Sequence, residues 1–148
     1  MKPEILSNVN LLSMGLAIPT IILASVVIYV WFPSAKKALF KRNRIDTDWF
    51  ILGVCLGFVG VITHATYWFI FFISHYFSLD VTLLLKDWGN VVNVFARQSL
   101  LILSAYCHIK ASSLSKSTSG RQANNLLVLC NVIGALAMIL IFSIREAL

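Results

Sequence analysis

Four long apolar runs dominate this sequence, and its charged residues fall almost entirely between and beyond them. The runs cover Val9 to Phe32, Trp49 to Phe77, Trp88 to Ile109 and Leu126 to Ile144. A helix of about 20 apolar residues, rising 1.5 Å per residue, reaches across the roughly 30 Å hydrocarbon core of a bilayer. All four runs have about that length. Nothing in hydrocarbon hydrogen-bonds to an open backbone, so a crossing segment must satisfy its own amides as a helix. The second run would be about 43 Å long as a helix and implies tilt or a projecting end. The expectation is an all-α, polytopic membrane protein of one domain, residues 1–148, with spans at about 9–32, 49–77, 88–109 and 126–144. Short connections favour antiparallel neighbours, hence a four-helix transmembrane bundle running up, down, up, down.

The balance of residue types agrees. The chain is 59% apolar and 12% charged, against about 25% charged in a soluble domain, which leaves too little charge to clothe a water-facing surface. The net charge of +6 is placed for lipid rather than nucleic acid. Lys36, Lys37, Lys41, Arg42 and Arg44 follow the first run, and Lys110, Lys116 and Arg121 follow the third. The segment after the second run, Ser78 to Asp87, holds Lys86 with Asp80 and Asp87 as counter-charges. Basic loops stay on the cytoplasmic side, so the first and third loops are expected there, with both termini and the second loop outside. A bacterial inner membrane is the expected location, and so consistent a bias argues against dual topology. The five cations of the first loop are expected on lipid headgroups, with Ala38 to Ile45 lying along the surface. Trp31, Trp49, Tyr76 and Trp88 fall at the ends of the runs, where amphipathic rings favour the interface. No basic and aromatic platform for stacking bases lies outside the runs, which excludes nucleic acid as a partner. The first run is too long for the apolar region of a cleavable leader and no small-residue cleavage site follows it, so it is expected to remain. Lys110 to Asn125, rich in serine, reads as a flexible polar connector. No internal repeat suggests a transporter built from inverted halves.

Within the runs, two patterns stand out. Gly53, Gly57 and Gly60 place a GxxxG face on the second helix, which permits close helix packing inside the chain or self-association. Pro19 removes one backbone donor from the first and is expected to bend it. On the third helix, Asn90, Asn93, Arg97, Ser104 and His108 fall within about 60° of one another and form one polar stripe. Gln98 points elsewhere. His64 of the second helix lies at a depth comparable to Arg97 if the two pack antiparallel. An arginine inside a span costs about 2.5–3.5 kcal/mol on insertion scales, and the six carboxylates all lie outside the runs. The stripe therefore reads as a satisfied core network, as the lining of a wet cavity or oligomeric pore, or as a docking surface for a partner's acid.

Other chemistries are poorly supported. His64, His75 and His108 provide no intrachain pair at matching depth for a bis-histidine haem. Cys55, Cys107, His108 and Cys130 lack metal-site spacing, and three cysteines inside apolar runs do not form a disulfide framework. No nucleophile motif, phosphate loop or intramembrane acid pair is present, so no enzymatic activity, cofactor or metal is expected. In plan alone, with its small size, four spans and basic cytoplasmic face, the chain resembles phage holins and pore-toxin immunity proteins. The expected function is a non-enzymatic, holin-like membrane protein acting through helix association, as a homo-oligomeric or pore-like assembly in the lipid bilayer. The alternatives are an accessory or immunity-type subunit binding a larger membrane partner, and a redox subunit holding haem or quinone.

Overall fold

The computed structural model describes residues 3–77 and 89–147, with backbone alone over 3–17 and 141–147 and at 72, 75, 90, 138 and 139. The expected outer loop Ser78 to Asp87 and the interface residue Trp88 lie outside the described residues. Those that are described form four helices and no strand: α1 (Pro3–Phe40), α2 (Asp46–Tyr76), α3 (Asn90–Leu114) and α4 (Thr118–Ala147). Two segments, 18–40 and 46–71, are long and apolar enough to cross a membrane by length and composition. α3 is interrupted by Asn93, Arg97, Gln98, Ser104, His108 and Lys110, which lowers its mean hydropathy.

The helices pack in sequence order. α1 lies against α2, α2 against α3 and α3 against α4, and among the described residues no other pair packs to a comparable extent. Among the described residues the result is an open row of antiparallel hairpins. Between α1 and α2 the contact is made by small residues: Ala35, Ala38, Leu52 and Cys55 are buried together with Cys107, and Trp31, Trp49, Ile51 and Leu56 pack around them. Between α2 and α3, Gly53, Gly57 and Gly60 face His108, Ser104 and Leu100 in turn. The descending numbers on α3 show the antiparallel register.

Two helix ends differ from expectation. α1 does not stop at Pro33 but continues through it to Phe40, placing Ala35 and Ala38 in the interface with α2. A proline inside a helix costs about 3 kcal/mol, and burial of the turn beyond it offsets that cost. Consequently Ala38 is buried rather than lying on a surface, while Leu39 and Phe40 are exposed. The basic linker of residues 41–45 is folded into capping contacts. Arg44 Nε donates to the Ala38 carbonyl at 2.8 Å and its Nη2 donates to the Leu39 carbonyl, covering acceptors that the helix end leaves open. Its guanidinium also lies 4.9 Å from the Trp49 ring centroid. Asp48 closes the start of α2, accepting from Ile45 N–H at 2.9 Å and from Lys41 Nζ at 2.7 Å. This is the reach-back half of a capping box.

The serine-rich third connector is also shorter than expected. Only 115–117 separate α3 from α4. Ser112 Oγ donates to Asn125 Oδ1 at 2.7 Å, and the Gly120 amide is 3.4 Å from Ser117 Oγ at the start of α4. Side chains that could have opened a loop instead tie two helix ends together.

Candidate polar seam on α3

The polar side chains of α3 divide into two groups along its length. Toward its start, Asn93 meets α2. One end of its amide is 3.1 Å from His64 Nδ1, and Trp68 Nε1 donates to His64 Nε2 at 3.1 Å. Indole only donates, so Nε2 accepts and the imidazole proton resides on Nδ1. Nδ1 then donates, and Asn93 must meet it with the carbonyl oxygen. The other end of the amide, placed as Oδ1, is buried with no hydrogen-bond donor facing it. Asn93 is only 4% exposed, so this is a polar group held away from water at a cost of about 1–3 kcal/mol. Arg97, one turn along α3 and half-buried, interacts electrostatically with His64. The structure thus brings Arg97, Asn93 and His64 together. The side chain of Asn90, expected in the same stripe, lies outside the described residues.

Toward the end of α3, the stripe joins three helices. Ser104 Oγ donates to the Gly53 carbonyl of α2 at 2.7 Å and accepts from Asn131 Nδ2 of α4 at 3.0 Å. His108 is 1% exposed and inserts its ring tip into the notch left by Gly53, where an added Cβ would lie 2.8 Å from Nε2. Its Nδ1 is 3.0 Å from Asn124 Oδ1, while Asn124 Nδ2 donates to the Gly120 carbonyl at 2.9 Å. That second bond fixes which end of the amide faces the histidine. Nδ1 of His108 is therefore the donor, and the bare lone pair of Nε2 points at Gly53. Gln98, expected to serve a separate contact, donates to the Ala135 carbonyl at 2.9 Å.

Sequence reading did not find Asn124, Asn131 or Trp68 as partners. The signal was present for two of them: Asn124 and Asn131 are seven apart, two turns on one face of a helix. Asn124 falls within the serine-rich stretch that reads as a connector, which conceals the pairing.

Between α2, α3 and α4 lies a laterally open cleft of about 180 Å³ lined by Gly57, Phe58, Leu101, Ser104, His108 and Asn131, among others. Its walls are apolar and its floor is the Ser104–Asn131 pair. Among the described residues no three His, Cys, Asp or Glu side chains converge as a metal set. Cys55 and Cys107 are buried in packing, whereas Cys130 is exposed. Of the basic residues in the last turns of α1 and the linker after it, Lys41 and Arg44 are engaged in the linker contacts described above. Lys36, Lys37 and Arg42 are exposed at the same end of the row, as are Lys110, Lys116 and Arg121.

Over the described residues these features define an all-helical arrangement of four helices, two of them long and apolar enough to cross a bilayer, with a polar seam joining α2, α3 and α4. The chain matches no protein-family model, no curated protein and no solved structure.

Proposed function

We propose that this chain is a non-enzymatic, multi-pass membrane protein of a bacterial inner membrane, with both termini outside, that acts by lateral helix association as an oligomer. The observation that carries this reading is the open row. Among the described residues α1 packs chiefly on α2 and α4 on α3, and the half-buried Asn131 lines the open cleft beside α3. In lipid, apolar side chains gain little by leaving the bilayer for a neighbouring helix. Association is driven instead by close packing and interhelical hydrogen bonds. A cleft with a polar floor supplies both to a second copy. Gly53, Gly57 and Gly60 already serve the contact between α2 and α3, so self-association uses the cleft that Gly53 and Gly57 line beside that contact.

Asn93, Ser104 and His108 are buried and hydrogen-bonded within the chain. A pore-like path therefore forms between copies and not along the stripe of one copy. The mass of the purified protein in mild detergent tests the proposal: a defined homo-oligomer supports it, and a monomer at every concentration overturns it. Co-purification of a second membrane protein in fixed ratio would transfer the reading to an accessory or immunity-type subunit. Membrane potential after expression tests the pore-like form, which a potential equal to that of control cells would remove.

A further inference from the structure

We propose that the face shared by α1 and α2 binds one anionic phospholipid of the surrounding bilayer, its acyl chain in a groove along α1 and its phosphate on Lys36. This rests on the membrane reading above but not on oligomerisation. The groove has a volume of about 680 Å³ and is lined by Ser25, Tyr29, Phe32, Pro33 and, from α2, Ile62, among others. Its lining is mostly apolar, and Tyr29, Val30 and Phe32 of that lining are exposed, so the groove is open to the outside.

Three features select the occupant. The first is alignment: Ser25, Tyr29, Phe32 and Lys36 follow one another at four, three and four residues, so all lie on one side of α1. The groove therefore runs directly to a cation. The second is length. Ser25 to Pro33 rises about 12 Å, close to the roughly 15 Å hydrocarbon depth of one leaflet, and Lys36 lies about one turn beyond, where a phosphate would sit. The third is charge. Lys41 is paired with Asp48 and Arg44 caps α1, which leaves Lys36 and Lys37 as the exposed cations about one turn beyond the groove's Pro33. An apolar helix from a partner would fill the groove equally well but would gain nothing from the lysines.

The test uses the full chain reconstituted in bilayer discs holding equal amounts of phosphatidylglycerol and phosphatidylcholine. Retained lipid is counted by native mass spectrometry after release. The wild type is expected to retain the anionic lipid in about fivefold excess, the preference contributed by one nearby cation. Lys36→Gln with Lys37→Gln should return the retained lipids to the ratio of the mixture, and Ser25→Phe, at an exposed position, should reduce retention of both lipids by filling the groove. Equal retention of both lipids by the wild type overturns the proposal, as does an undiminished anionic excess in the double lysine variant. Loss of oligomer with unchanged lipid in Ser25→Phe also overturns it, because the groove then holds a second copy. Failure of the chain to enter the discs would instead refute the membrane reading itself.

Discussion

At residue scale, Gly53 sets how closely α2 and α3 approach. A methyl group there would lie 2.8 Å from Nε2 of His108, 2.9 Å from Cε1 and 3.0 Å from Cδ2. The ring cannot retreat freely because Asn124 holds its far side at 3.0 Å. Gly53→Ala should therefore destabilise the protein by about 1–3 kcal/mol, the usual cost of overpacking, measured by thermal unfolding in detergent. Gly57→Ala meets Ser104 Oγ at 3.4 Å and should cost less. Combined with His108→Ala, the Gly53 substitution should lose most of its added cost, since contacting residues are not additive. Simple additivity would show that the ring does not sit in the notch. His64 and Asn93 behave differently. Asn93→Leu alone strands the Nδ1 donor of His64 and should cost about 1–3 kcal/mol, whereas Asn93→Leu with His64→Phe removes both partners and should cost less than the single change. The sequence made these residues visible because polar groups are rare in apolar runs. What it could not supply was their partners. Hydrogen bonds from Ser104 to a glycine carbonyl and from Gln98 to the Ala135 carbonyl depend on which backbone groups register brings near, and every residue has a carbonyl.

At the scale of elements, the four apolar runs mark the positions of the four helices, each run being long enough for about five turns or more. Their ends were less legible. Proline and serine mark breaks in an isolated chain, but α1 passes through Pro33 and α3 continues through Ser112 and Ser113, since the turns beyond are held by neighbouring helices. Arg44 shows the same lesson for charge. In a basic cluster it reads as a lipid contact, yet two of its donors cap α1 and its plane lies over Trp49. Arg44→Ala should cost about 1–2 kcal/mol through loss of the cap and its favourable charge at a helix C-terminus. Arg44→Lys should restore only part of this, because an ammonium lacks the planar fork. The exposed Lys36→Ala should change stability by less than about 0.5 kcal/mol. Thermal unfolding of the three variants in one detergent checks the ordering, and an Arg44→Ala as silent as Lys36→Ala would mean that the cap stabilises nothing.

At the scale of the whole molecule, the open row makes the helices unequal. α3 is bound on both sides: to α2 through Asn93 and Ser104, and to α4 through Gln98, Ser104, His108 and Ser112. α1 touches the rest through α2, mainly by the packing of small residues and the linker contacts of Lys41 and Arg44. Losing α1 would expose apolar surface that detergent or lipid covers at little cost, since the described core of that interface is the packing of Ala35, Ala38, Leu52 and Cys55. Losing α4 would strip partners from four polar side chains of α3, each then costing about 1–3 kcal/mol wherever water cannot replace the bond. A chain lacking residues 1–45 should thus remain helical and monodisperse in detergent, with a cooperative thermal transition. A chain ending at Leu114 should lose cooperativity and aggregate. Circular dichroism melts and size-exclusion profiles of the two truncations give the comparison. The reverse order, with α1 needed for folding and α4 dispensable, would mean that small-residue packing rather than the polar seam organises this protein. It would also remove the reason for expecting a partner at the cleft, whose floor is made of the same Ser104 and Asn131 groups.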